Sequence, residues 1–132
     1  MSTAQVLYMT PSDYFSFGQR LSKIWTNPEY QTAFLEDTYN RVSLAETDGC
    51  VVIITTDCRS AIMIAGVSGW YNYNYKAIMR WHGILAFHRG HGLSRVLLEW
   101  IKKDVKEKGY SELYELSDSE EAKTYFETMG FV

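Results

Sequence analysis

The run His88-Arg89-Gly90-His91-Gly92-Leu93-Ser94 lies between a predicted strand and the strongest predicted helix of the chain. Two glycines permit a tight turn and let main-chain N–H groups approach a ligand. The helix that follows offers unsatisfied N–H groups and the positive end of its dipole. Arg89 adds a fork of donors suited to phosphate oxygens. These residue types favour capture of a phosphate-bearing molecule; the plain alternative is an ordinary glycine-rich turn. A P-loop would need Gly-x-x-x-x-Gly-Lys-Ser/Thr, which is absent, and Arg95 stands where a dinucleotide fingerprint needs its last glycine.

Other residues could do chemistry nearby. His82 lies two residues before Ile84, so both share one side of a strand, and an ordinary pKa of about 6.5 suits a general base. The alternative is a strand histidine with a structural partner. His88 and His91 flank the turn and either assist phosphate binding or face solvent. No His or Cys spacing matches a metal site, so none is expected. Glu46 and Glu115 are strand acids that either approach a cleft or face solvent. Cys50 and Cys58 read as buried thiols. Trp70–Tyr75 alternates aromatics with asparagines, which suits an edge strand, an acceptor pocket, a self-association surface or base stacking. Only Lys76 and Arg80 accompany it, which is little charge for nucleic acid. Lys102, Lys103, Lys106 and Lys108 read as a solvated helix face.

These residues need elements to position them. Residues 4–9 read as a strand, and Thr10-Pro11 with Asp13 as a helix start. A second helix is expected from Pro28 to about Arg41. Asp48-Gly49 suggests a hairpin between strands at 42–46 and 51–56, and a further strand follows at 61–67. A long strand is expected over 77–87. Leu93, Val96, Leu97, Trp100, Ile101 and Val105 then form an apolar helical stripe closed by Gly109. A short strand at 113–116 and a helix at 120–129 complete the order. It predicts one α/β domain over residues 1–132, with a mixed, mostly antiparallel sheet flanked by helices.

Composition agrees with one compact domain. The 132 residues are 46% hydrophobic and 15% aromatic, with a net charge of −3. That charge is uneven: residues 1–75 carry −3, residues 76–110 carry +5, and residues 111–132 carry −5. A basic middle in an acidic chain implies a local anion site and argues against binding nucleic acid over the whole surface. No apolar run reaches the roughly 18 residues of a membrane span, no secretion pattern opens the chain, and cysteines number two. A soluble cytoplasmic protein with reduced thiols is expected.

Arg89-Gly90-His91-Gly92-Leu93-Ser94 resembles the Arg/Gln-x-x-Gly-x-Gly/Ala motif of the GNAT superfamily, the GCN5-related N-acetyltransferases. Ile84–His88 resembles the strand before that motif, and Arg95–Leu98 the helix after it. Ala122-Lys123-Thr124-Tyr125-Phe126-Glu127-Thr128-Met129-Gly130-Phe131 is similar to the family's Ala-x-x-Phe-Tyr-x-x-x-Gly-Phe segment. The resemblance is clear over 77–131.

The resemblance implies a GNAT-like fold in which two parallel strands, here those ending near Phe87 and Leu116, splay to admit acetyl-coenzyme A or another acyl-coenzyme A. Main-chain groups of Arg89, Gly90, His91, Gly92, Leu93 and Ser94 would hold the pyrophosphate. Groups of Ile84 and Leu85 would pair with the pantetheine arm, and Phe126 would lie along the cofactor. An incoming primary amine would attack the acyl group directly, through a tetrahedral intermediate whose oxyanion needs a donor. His82 or Glu115 would take the amine's proton. Phe126 stands where many members carry a tyrosine that returns a proton to the thiolate, and Tyr125 is the neighbouring hydroxyl.

The expected function is thus acyl-coenzyme A-dependent N-acyl transfer to a small-molecule or protein amine. One alternative is a catalytically inactive binding or inhibitory protein of the same fold; another is nucleic-acid binding through residues 70–75. The sequence ends at Val132, so the sheet is expected to be one or two strands short. A second copy or another protein is expected to cover that edge.

Overall fold

The computed structural model describes residues 3–44, 48–58 and 61–115. The expected helix at 120–129, the strand shortfall after it, Glu46, Tyr125 and Phe126 lie outside them. The chain opens with strand β1 (Thr3–Tyr8) and helix α1 (Pro11–Ser22). Thr10 caps α1: its hydroxyl accepts the Asp13 N–H at 3.1 Å, and the Asp13 carboxylate accepts the Thr10 N–H at 3.0 Å. Such a box contributes about 1 kcal/mol. Helix α2 (Pro28–Leu44) follows.

Here one expectation is corrected. Val42, Ser43 and Leu44 continue α2 and do not start a strand. Asp48-Gly49 therefore leads from a helix into a strand. β2 (Gly49–Cys58) and β3 (Ala61–Tyr73) form a long antiparallel pair. β3 runs past its expected end and takes in Trp70–Tyr73. It is an interior strand, with Trp70 fully buried. The edge-strand reading of that segment and its use as a stacking platform both fail at Trp70. Asn74 and Tyr75, both at positive φ (51° and 62°), make the two-residue turn into β4 (Lys76–Met79).

The single strand expected at 77–87 is divided. β4 pairs with β3 as far as Trp70↔Met79, and β5 (Gly83–Ile84) resumes with Val67↔Gly83. Three residues, Arg80–His82, thus face two on β3, Ser68 and Gly69. This is a β-bulge. Residues 86–88 form a single 3₁₀ turn, and α3 (Leu93–Glu107) follows. β6 (Leu113–Glu115) runs parallel to β4, with Ala77↔Leu113, Ile78↔Tyr114 and Met79↔Glu115 in register. The sheet order is β1-β2-β3-β4-β6, with β5 on β3, and β4–β6 is the parallel pair. The mixed, mostly antiparallel sheet expected from sequence is present.

Each face of the sheet carries a core. Val52, Ile54, Trp70, Met79 and Ile84 pack under Leu93, Leu97, Leu98 and Ile101 of α3. Val51, Ile53 and Val67 pack under Leu21 of α1 and Phe34 of α2. Alternation along β2 sends neighbours to opposite sides. Trp25, Phe34 and Trp81 meet edge to face or tilted, at 4.9 to 5.7 Å between ring centres. No described helix is long and apolar enough to cross a membrane.

Candidate functional site

The glycine turn lies between the end of β5 and the start of α3. The Leu85 N–H donates to Ala65 O at 2.7 Å, which keeps the strand on β3 one residue past Ile84. In that arrangement the main-chain groups of Ile84 face away from β3. Its carbonyl accepts Arg89 Nε at 3.0 Å. Of the two positions expected to offer main-chain bonds, Ile84 thus directs its N–H away from the sheet pairing, while the Leu85 N–H is committed to it.

Arg89 braces the turn from within, and its side chain is otherwise exposed. Gly90 and Gly92 have φ of +85° and +76°. A Cβ built on either meets nothing within 4 Å among the described residues, so these leave space in front of both. Gly92 is the N-cap of α3 and offers no side-chain oxygen to the first turn. The first intrahelical bond is Val96 N–H to Gly92 O, and the N–H groups of Leu93, Ser94 and Arg95 precede it. Leu93 is buried and anchors the helix start. The arrangement presents main-chain donors, a helix dipole and an arginine to open space, which suits an anion. His88 is half-buried and meets the exposed Phe87 ring edge to face at 5.1 Å; His91 is exposed.

His82 closes the bulge and faces α3, as Ile84 does. Its Nδ1 lies 3.0 Å from Ser68 Oγ and its Nε2 lies 2.8 Å from Ser94 Oγ. One ring therefore links β3, the bulge and the first turn of α3. Burial lowers its pKa from the ordinary 6.5 to about 4, so the imidazole is neutral at pH 7. Glu115 is the last residue of β6, beside Met79 in register. It lies where the described parallel pairing ends and the bulge begins.

The sequence reading missed two residues of α2. Arg41 is buried, and its guanidinium donates to the carbonyls of Cys50, Trp70 and Arg80. Asp37, one helical turn earlier, accepts Trp81 Nε1 at 2.8 Å and lies 3.9 Å from Arg41. Helix α2 thus grips two consecutive residues of the bulge. The i, i+4 spacing of Asp37 and Arg41 was visible, but it reads as a surface ion pair. Gly69, opposite the bulge, leaves no space for a side chain: a Cβ there would lie 2.7 Å from Cys50 O and 2.9 Å from Arg80 O.

Cys50 is set apart from this chemistry. Its Sγ lies 3.5 Å from Asp104 Oδ2, which also accepts Trp70 Nε1 at 2.8 Å. Burial, with Asp104 beside it, pushes the thiol up to about 12. Among the described residues no group of three or more His, Cys, Asp or Glu is placed to hold a metal ion. A cleft of about 400 Å³ lies at the other end of the parallel pair, lined by residues that include Lys76, Tyr110, Glu112 and Tyr114.

Residues 13–131 match the family model described as the Acetyltransferase (GNAT) family. A search of curated proteins gives no significant match. Solved structures share the fold. Glucosamine-6-phosphate N-acetyltransferase from Arabidopsis thaliana has 14% identity, with 98% of this chain and 92% of that chain covered and a TM-score of 0.73. PaiA N-acetyltransferase from Thermoplasma acidophilum, in complex with coenzyme A, has 16% identity over 98% and 90%, also with a TM-score of 0.73. An aminoglycoside antibiotic 6'-N-acetyltransferase from Acinetobacter baumannii has 13% identity over 98% and 91%, with a TM-score of 0.75.

Proposed function

The chain belongs to the GNAT family of acetyltransferases, and from that membership we propose that it carries acetyl from acetyl-coenzyme A to a primary amine. One observation supports the reading most: the paired positive-φ glycines in front of an uncapped helix start, with space before them that no described residue fills. The N–H groups of Gly90 to Ser94, with Arg89, suit the coenzyme's pyrophosphate. The N–H of Ile84 suits an amide of the pantetheine arm. Bound coenzyme supplies a thioester carbonyl open to attack by an amine. A solved structure of similar fold holds coenzyme A, which agrees with this choice of ligand.

Glu115 is our candidate to take the amine's proton, from its place beside the bulge. His82 is better suited to fixing positions, because protonating it opposes its burial. Tyr125 remains the hydroxyl proposed to return a proton to sulfur, and Phe126 a neighbour of the cofactor. Phe126 at a position often held by tyrosine supports a second reading, a protein that binds the coenzyme without transfer.

Titration calorimetry with acetyl-coenzyme A tests the proposal. Wild type is expected to bind, and Gly92→Val to lose binding, since valine disfavours φ of +76° and fills the open space. Gly109→Val imposes similar strain at the far end of α3, where φ is +95°, and is expected to leave affinity unchanged. No binding by folded wild type refutes the reading. Binding without thiol release over a broad panel of amines favours the second one.

A further inference from the structure

His82 joins two serines from different elements, Ser68 of β3 at 3.0 Å and Ser94 of α3 at 2.8 Å. A neutral imidazole carries one ring proton, so one nitrogen donates and the other accepts. With the proton on Nδ1, Ser94 gives its own proton to Nε2 and offers only lone pairs elsewhere. With the proton on Nε2, Ser94 accepts from the ring and directs its own proton to another acceptor, while Ser68 donates to Nδ1. An anion at the α3 N-terminus selects the second arrangement, because it needs donors. Ser94 is the second residue of α3. Its Cα–Cβ bond tilts toward the N-terminus, the end where the unsatisfied N–H groups point.

We infer that His82, in its Nε2–H form, aims the Ser94 hydroxyl at the coenzyme's pyrophosphate. Ser94 is the binding residue, and His82 is a positioning residue that acts through it. Where the GNAT motif carries glycine or alanine, this chain has a hydroxyl and a buried ring that orients it. The inference rests on the proposed coenzyme site, and it adds a side-chain donor to the main-chain ones.

The test measures coenzyme A affinity and the His82 tautomer together. Ser94→Ala is expected to weaken binding by about ten-fold, the usual scale for losing one hydrogen bond to a charged group. Ser94→Thr restores most of it. His82→Leu loses a similar factor, but adds little when combined with Ser94→Ala. His82→Gln offers an amide N–H toward Ser94 and an oxygen toward Ser68, so it holds affinity near wild type. In ¹⁵N-histidine spectra of the wild type with coenzyme A, His82 is expected as the Nε2–H tautomer. Unchanged affinity in folded Ser94→Ala, or an Nδ1–H ring in the complex, overturns this inference alone. Failure of wild type to bind coenzyme A overturns the coenzyme site as well.

Discussion

Arg41 of α2 donates to the carbonyl oxygen of Arg80 across 3.1 Å, at the bulge that separates β4 from β5. The same guanidinium reaches Cys50 of β2 and Trp70 of β3, so two strands and the bulge converge on one side chain. A bulge turns a carbonyl out of the regular ladder, and a buried carbonyl needs a donor. Arg41 supplies it with a fork that a single point charge cannot copy.

Arg41→Met is therefore expected to lower the free energy of unfolding by about 3 kcal/mol, through three carbonyls left without that donor. Arg41→Lys should recover less than half of the loss. Urea denaturation of the three proteins measures both. A loss for Arg41→Met below about 1 kcal/mol would show that other groups satisfy the carbonyls.

His82 predicts how stability responds to acid. Its pKa is lowered to about 4 in the folded chain, against about 6.5 when unfolded, so the unfolded state binds more protons in between. Stability from this group is full above about pH 6.5 and falls as the pH drops toward 4. The size is on the order of 3 kcal/mol. Urea midpoints at pH 7 and pH 4.5 should differ more in wild type than in His82→Gln. Equal pH dependence in the two would sink this assignment.

Cys50 should be chemically quiet. A thiol pushed up to about 12 stays protonated at pH 8, and thiolate is the reactive form. In a Cys58→Ser background, reaction with a disulfide reagent is expected to be slow when folded and rapid in denaturant. Fast labelling of the folded protein would contradict the burial and the Asp104 contact.

Much of the frame could be read from residue order. The Thr10–Asp13 box, the β-branched run at 51–56 and the α3 stripe each state their structure through local spacing alone. The turn at Gly90 and Gly92 was legible for the same reason, since positive φ asks for glycine. The misreadings have non-local causes. Val42–Leu44 looks like strand by composition, yet α2 carries through it and brings Arg41 to the sheet. The bulge depends on pairing with β3, which no local pattern reveals. The low pKa of His82 and the high pKa of Cys50 come from burial and neighbours far away in sequence. The roles of Arg41 and Asp37 are likewise set by partners 9 to 44 residues distant.

The extra residue at Arg80–His82 also acts as a change of phase. Before it, odd-numbered Ala77 and Met79 belong to the α3 core. After it, even-numbered Ile84 does, while Trp81 and Leu85 join the opposite core. The two halves of this stretch thus follow different rules about which residues face which helix. Deleting one residue here would do more than shorten a loop. It would erase the bulge, and two residues would then face Ser68 and Gly69. Gly83 would still pair with Val67 and Ile84 would still face α3, at the cost of one of the three residues that Arg41, Asp37 and Ser94 hold. Composition would be almost untouched, and the sheet would lose one of its ties to α2 or α3.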